Sequence, residues 1–176
     1  MNQHAPGDAR RPPRDRLTLL RTLLAALDSS PEMAEFLQRA LVTTTHHLGH
    51  GSAGLALVDD PQHPGLVISA YDGLPARSLP ARVFWNDCLC GEIADSGIPT
   101  VSTECRGCAC DVGSWPQPHV HLAVPLKTRE TVLGALCLVC PPDLQIEEEN
   151  LSFWEDLGIL VGRAVDQAQT RAQIHQ

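Results

Sequence analysis

The segment HVHLAVPLKTRETVLGALCLVC, residues 119–140, carries the clearest structural signal of this chain. Two apolar runs, HVHLAVPLK and VLGALCLVC, flank a polar turn around Thr128–Thr131. Each run has the length and the aliphatic, β-branched content of a buried strand, and the short polar turn between them favours antiparallel pairing. The segment therefore predicts two neighbouring strands of an antiparallel sheet.

The chain before this segment predicts two helices and then further strands. From Arg16, leucines at helical spacing form one apolar stripe: Leu17, Leu20, Leu24 and Leu27. A second helix is predicted from an N-cap at Ser30, with Pro31 in its first position, to about Leu48. Its expected buried side is Met33, Phe36, Leu37, Ala40 and Leu41, and it is expected to end at Gly49 and Gly51.

Short apolar runs separated by turn residues follow the two helices. AGLALVDD (53–60) and LVISAY (66–71) predict a hairpin, and residues 72–87 an irregular stretch. GEIADSG (91–97) predicts a short helix that ends at Gly97, and IPTVSTE (98–104) predicts a strand. The order of elements predicts an α+β fold, a mostly antiparallel sheet with helices packed on one side.

The C-terminal segment, residues 145–173, predicts a long helix with Glu147–Glu149 in its first turn. Its apolar positions have heptad-like spacing: Trp154, Leu157, Val161, Ala164 and Ala168. This stripe either packs on the sheet or joins the first helix in a dimer interface, and we expect a homodimer. Residues 1–15 are rich in proline and arginine and predict a disordered arm, so one domain is expected over residues 16–176.

Composition excludes several classes of function. Of the 176 residues, 13 are Lys or Arg and 21 are Asp or Glu, so the net charge of −8 disfavours nucleic-acid binding. There is no run of 18 apolar residues to span a membrane, and the N-terminus lacks the apolar core of a secretory signal. We therefore expect a cytoplasmic protein in a reducing compartment, which disfavours stable disulfides.

Five of the seven cysteines lie within residues 86–113. They form a Cys-x-Cys group and a Cys-x2-Cys-x-Cys group: Cys88 and Cys90, then Cys105, Cys108 and Cys110. Clustered thiolates indicate zinc, an iron–sulfur cluster or a metal-free thiol switch. Arg106 and the predicted helix near Gly91 favour an anionic centre, and Cys-x-Cys is tighter than the usual zinc knuckle. Spacing alone leaves these alternatives open, although it favours the cluster.

Other potential ligands receive a structural interpretation. Cys137 and Cys140 lie three residues apart in an apolar strand, so we expect them to face opposite sides of the sheet and to pack in the core. His119 and His121 share one strand face and are secondary ligand candidates. The remaining clustered histidines lie at a predicted helix end, where capping or surface roles are expected: His46, His47 and His50.

Three segments in this order resemble the GAF domain, a small sensory module of signalling proteins. They are CGEIADSGIPTVSTE (90–104), HLAVPLKTRETVLGALCLV (121–139) and FWEDLGILVGRAVDQAQ (153–169), and the resemblance covers roughly residues 30–170. It implies a GAF-like central sheet and a sensory, non-enzymatic role. The absence of a catalytic triad pattern, a P-loop or paired catalytic carboxylates agrees with this interpretation.

The cysteine pattern resembles a narrower, cysteine-bearing GAF subset found in bacterial sensor histidine kinases and related regulators, some of which bind an iron–sulfur cluster and respond to oxygen or redox state. The resemblance implies Cys88, Cys90, Cys105 and Cys110 as ligands, with Cys108 as a surplus thiol in the same site. It implies a [4Fe–4S] cluster ahead of a [2Fe–2S] one, and a histidine kinase or fused output domain as partner in a two-component system. The alternatives are a small-molecule-binding GAF module with a zinc-stabilised loop and a free methionine sulfoxide reductase.

Overall fold

The computed structural model describes residues 16–30, 32–60, 62–63, 65–74, 82–84, 89–103, 119–144, 146–147 and 150–174. All structural statements below concern these residues. The expected disordered arm, residues 1–15, lies outside them, as does most of the predicted irregular stretch.

Six strands form one sheet in the order β3-β2-β1-β6-β5-β4, and every neighbouring pair is antiparallel. Their bounds are Ala53–Asp59 (β1), Leu66–Asp72 (β2), Arg82–Val83 (β3), Thr100–Ser102 (β4), Val120–Lys127 (β5) and Val132–Cys140 (β6). The hairpin predicted from residues 119–140 is confirmed as β5 and β6. The short edge strand β3 was not predicted, because two residues are too few to show an alternating pattern.

Four helices accompany the sheet: Arg16–Ser29 (α1), Met33–Leu48 (α2), Leu89–Ser96 (α3) and Leu151–Ile174 (α4). The long helices α1, α2 and α4 share a buried cluster with one face of the sheet, including Phe36, Leu138 and Trp154. The short helix α3 contributes Ile93 to a second cluster on the other face. The α+β prediction with helices packed on one side is therefore confirmed for the three long helices.

The predicted apolar stripe of α1 is confirmed for Leu20 and Leu27, which pack against the core, and is wrong for Leu17 and Leu24. Leu17 and Leu24 are 55% and 48% exposed, whereas Leu19, Leu23 and Ala26 are buried. Helix α1 has leucines around much of its circumference, so spacing alone could not select the face that docks on α2. The predicted face of α2 is confirmed at four of its five positions: Phe36, Leu37, Ala40 and Leu41.

The predicted ends of α2 and α4 need correction. The N-cap of α2 is Glu32, without a side-chain capping hydrogen bond, and not Ser30; Gly49 ends the helix as predicted. Helix α4 begins at Leu151, so Glu147 precedes it and its first turn contains no acidic residue. Leu144 and Ile146 instead pack against the helix-side core in a non-helical approach to α4.

The heptad-like stripe of α4 packs mainly inside the domain. Ala168 is half-buried. The other four members belong to the core shared with the sheet: Trp154, Leu157, Val161 and Ala164. Any dimer interface on this helix must therefore use other residues. None of the helices in the described part of the chain combines the length and apolar composition needed to cross a membrane.

Candidate functional site

Helix α3 lies on the sheet face opposite the three long helices. Ile93 is fully buried there, in a cluster with Ala123 and Val139, and Leu89 packs against the same cluster from the first turn of the helix. Gly97 ends α3 with φ +62°, and its N–H donates to the Ile93 carbonyl at 2.8 Å. The predicted short helix and its glycine stop are thus confirmed, and α3 starts two residues earlier than predicted.

The first cysteine group is at the start of α3. The backbone of Cys90 belongs to the first helical turn, which begins at Leu89, while Cys88 lies outside the described residues. The helix therefore connects Cys90 directly to the buried cluster around Ile93. Backbone N–H groups of a first turn lack intrahelical acceptors, and they favour negative charge nearby.

The second cysteine group lies in a segment whose two ends are held together. Ser102, the last residue of β4, pairs with His121 of β5. The chain leaves the described residues after Thr103 and returns at His119, so Cys105, Cys108 and Cys110 lie outside them. Their arrangement remains a prediction. The two ends of the segment are nevertheless held together, because Ser102 of β4 pairs with His121 of β5, the strand that α3 covers.

Two histidines meet where this segment returns to the sheet. The Nε2 atoms of His119 and His121 are 2.7 Å apart, and the ring centroids are separated by 4.4 Å with the planes at 74°. His121 is only 7% exposed. Positions i and i+2 of a strand point to the same face, so His121 lies on the face that carries Ala123 and α3, and His119, directly before β5, meets it there through the ring contact. The expected shared face is confirmed.

Cys137 and Cys140 lie on opposite faces of β6, as predicted. Cys137 is half-buried against the cluster on the α3 face, whereas Cys140 is fully buried in the helix-side core. Burial raises the pKa of the Cys140 thiol to about 12. A thiol with so high a pKa is neutral near pH 7 and is suited to packing and not to nucleophilic chemistry.

Lys127, at the end of β5, links α3 to α4. Its Nζ donates to the Gly97 carbonyl at 2.5 Å and to Glu155 Oε1 at 2.6 Å. The Lys127 side chain is 17% exposed and that of Glu155 is 40% exposed. One ammonium group therefore joins the carboxyl end of α3, on one side of the sheet, to the first turns of α4 on the other.

Sequence reasoning missed this link because it has no local signature. Lys127 and Glu155 are 28 positions apart, and neither belongs to a recognisable motif. The His-x-His spacing was visible in the sequence, but spacing shows only a shared face and not the close approach of the two Nε2 atoms.

The described residues contain no group of three or more His, Cys, Asp or Glu side chains close enough to hold a metal ion. A cleft of about 80 Å³ lies on the helix side, lined by Phe36, Ala164 and Arg171 among others. Its volume is well below the roughly 300–1,000 Å³ of small-molecule sites in proteins. The cleft is therefore too small for a typical signalling ligand.

Comparison with known proteins identifies the domain type. The family model described as "GAF domain" matches residues 30–166, most of the chain. A search of the curated proteins gave no significant match. The family match spans both the α3 region with Cys90 and the β5–β6 hairpin.

Solved structures agree with this match. The GAF domain of a phosphoenolpyruvate-protein phosphotransferase from Coxiella burnetii has a TM-score of 0.73 at 18% identity, covering 90% of this chain and 96% of that one. The A. aeolicus nlh2 GAF domain in an inactive state gives 0.66 at 18% identity, with coverages of 86% and 96%.

An enzyme also shares the fold. The free methionine-R-sulfoxide reductase from Neisseria meningitidis, solved with its substrate, has a TM-score of 0.67 at 14% identity and covers 89% of this chain and 93% of its own. At these identities the likeness concerns the fold alone, whereas the family match concerns the sequence itself. The chain belongs to the GAF domain family.

Proposed function

We propose that this GAF domain is a cytoplasmic redox or oxygen sensor that holds an iron–sulfur cluster and signals through its terminal helices. Its proposed ligands are Cys88, Cys90, Cys105 and Cys110, with Cys108 as a surplus thiol in the same site. The observation that carries the signalling part of the proposal is the Lys127 bridge, which joins the helix bearing Cys90 to α4; the cysteine spacing is what suggests the cluster.

The described residues fit a thiolate-bound centre in two respects. Cys90 begins a helix that packs over the sheet through Leu89 and Ile93. The chain that bears the other three cysteines leaves from β4 and returns to β5, and these strands are paired beside α3. Both groups are therefore anchored to elements in mutual contact, as a shared centre requires.

Bound at these cysteines, an iron–sulfur cluster supplies redox activity and sensitivity to oxygen. The residues of the chain transmit the change. Cys90 would hold the cluster from the first turn of α3, so a change in that attachment would shift α3, and movement of its carboxyl end would displace the Gly97 carbonyl from Lys127. Lys127 then changes its contact with Glu155, and α4 changes its packing against the partner that reads the signal. A histidine kinase or fused output domain is the proposed partner.

The cluster itself is tested by purification without oxygen. We expect a coloured protein with iron and sulfide in stoichiometric amounts, and a visible spectrum that bleaches in air. A colourless protein with stoichiometric zinc would contradict the proposal and would favour the zinc-stabilised, small-molecule-binding alternative.

The ligand set is tested with single serine variants. Cys90→Ser and Cys110→Ser are expected to lose most of the bound iron, whereas Cys108→Ser is the matched control and is expected to retain it. Full iron content in both ligand variants would show that the assignment is wrong. Circular dichroism of each variant checks that the fold is retained.

The relay is tested by hydrogen exchange in α4. Exchange rates in α4 are expected to differ between the anaerobic and the air-oxidised protein, and Lys127→Met is expected to remove that difference. Arg163→Met, an exposed change on the same helix, is the control and should preserve it. Unchanged exchange in α4 of the unmodified protein would refute the relay.

A methionine sulfoxide reductase is the second candidate, since two structural neighbours from Neisseria meningitidis and Staphylococcus aureus have this activity in their names. The assay combines the protein with free methionine-R-sulfoxide and a thiol reductant and quantifies methionine. We expect no turnover. Catalytic turnover that Cys90→Ser or Cys110→Ser abolishes would replace the sensor proposal by the enzymatic one.

A further inference from the structure

The His119–His121 pair has the geometry of a chelate. His119 directly precedes β5 and His121 is its second residue, and their Nε2 atoms converge to 2.7 Å. The backbone of β5 is held between β4 and β6, with His121 opposite Ser102 on one side and Val139 on the other. The strand therefore fixes the backbone of His121, and the ring of His119 already contacts that of His121, so little conformational freedom is lost when the two bind a common ligand.

Metal–nitrogen distances test whether one ion fits between the rings. Imidazole nitrogen binds zinc at about 2.0–2.1 Å, which places two nitrogens about 2.9 Å apart at a right angle and about 3.3 Å apart at the tetrahedral angle. From the observed 2.7 Å, the nitrogens need to separate by only about 0.2–0.6 Å. Small side-chain rotations supply such a displacement without moving the strand.

We propose that His119 and His121 together bind a divalent transition-metal ion through their Nε2 atoms. Imidazole ligands suit Zn²⁺, Ni²⁺, Co²⁺ and Cu²⁺ and disfavour Mg²⁺ and Ca²⁺. The ion replaces the contact between the two Nε2 atoms. The described residues supply two ligands, and the other coordination positions are open to water or a further donor. The site stands on the histidines alone and does not depend on an iron–sulfur cluster.

The test uses the full chain labelled with ¹⁵N-histidine, titrated with Zn²⁺ until the cysteine thiols are saturated and then beyond that point. We expect the Nε2 resonances of both His119 and His121 to move together to metal-bound shifts. If neither moves while Zn²⁺ binds elsewhere, or if only one moves, the chelate does not form and the proposal is overturned.

Substitution gives an independent measurement. His119→Gln is expected to weaken Zn²⁺ binding by roughly tenfold or more, because even the loss of a residue that only supports a metal ligand costs that much affinity. The binding is followed at the His121 signals. The His46→Gln/His50→Gln variant is the matched control and should leave the affinity unchanged. Equal affinity in His119→Gln would refute the site. Failure here leaves iron and sulfide content unaffected, so the two proposals are separable.

Discussion

Cys140 shows how burial controls the chemistry of a single side chain. Its thiol is fully buried and has a pKa of about 12, so at pH 8 its thiolate fraction is about a thousandfold below that of an ordinary thiol. We predict that iodoacetamide modifies Cys140 only after denaturation. Mass spectrometry of the peptide that contains both cysteines measures the extent of labelling, and the half-buried Cys137 serves as the internal comparison. Labelling of Cys140 at its denatured rate in the folded protein would contradict the prediction.

Asp60, directly after β1, makes the folding stability depend on pH through the protonation of its carboxyl group. Arg82 Nη2 donates to Asp60 Oδ2 at 2.8 Å and the Gln62 N–H donates to Oδ1 at 2.9 Å, and these contacts lower the pKa of Asp60 to about 2. A lowered folded-state pKa contributes stability above the unfolded value near 3.8, and this contribution is lost as the pH falls toward 2.

The Asp60 prediction is measured by following its carboxyl ¹³C signal during an acid titration. Arg82→Gln is expected to raise the midpoint, because the guanidinium is the largest cause of the lowered pKa. Gln62→Ala keeps the backbone N–H and should leave the midpoint low, so it serves as the control. An equal midpoint in the protein and in Arg82→Gln would show that the ion pair does not form in solution.

Among the elements, α4 approaches β5 closely enough to exclude side chains at two positions. A Cβ on Gly162 would lie 2.3 Å from the Lys127 backbone nitrogen, and one on Gly158 would lie 2.2 Å from the Pro125 carbonyl oxygen. Real Cβ atoms do not approach backbone so closely, so helix and strand would have to separate. The two glycines thus allow α4 to lie directly on β5, which places Glu155 of α4 within reach of Lys127.

Gly162→Ala is therefore predicted to destabilise the fold by about 1–3 kcal/mol, the usual cost of overpacking. This sign is opposite to the gain of about 1 kcal/mol expected for glycine to alanine in an exposed helix. Thr170→Ala, exposed on the same helix, is the control and should be nearly neutral. Urea denaturation gives both values, and a stabilised Gly162→Ala would disprove the close approach.

At the scale of the whole molecule, the expected homodimer stays a prediction. The α4 stripe through Ala164 is buried inside the domain, so the interface must use exposed apolar residues such as Leu24, which is 48% exposed on α1. We predict a dimer in sedimentation that Leu24→Glu weakens at least about tenfold, because the charge would be buried at the interface. Thr22→Glu, an exposed change on α1, is the control. A monomer at high concentration would refute the dimer.

The parts of the fold that could be predicted are those with local signals. The β5–β6 hairpin, the buried side of α2 and the stop at Gly97 were all predicted correctly. The buried side of α1 was not, because leucines occupy several of its sides and only docking on α2 distinguishes Leu19 and Leu23 from Leu17 and Leu24. Of the candidate site, the shared face of His119 and His121 was predictable, and the separation of their Nε2 atoms was not.

Residue order alone therefore specified the four helices, every strand except β3, the class of fold and the types of ligand atom present, since hydrophobic periodicity, glycine stops and thiol spacing act over a few positions. Folding in three dimensions selected which faces are buried and which distant groups meet. Lys127 reaches Gly97 and Glu155 only because β5 lies between α3 and α4, and long-range contacts of this kind depend on packing that no local pattern records.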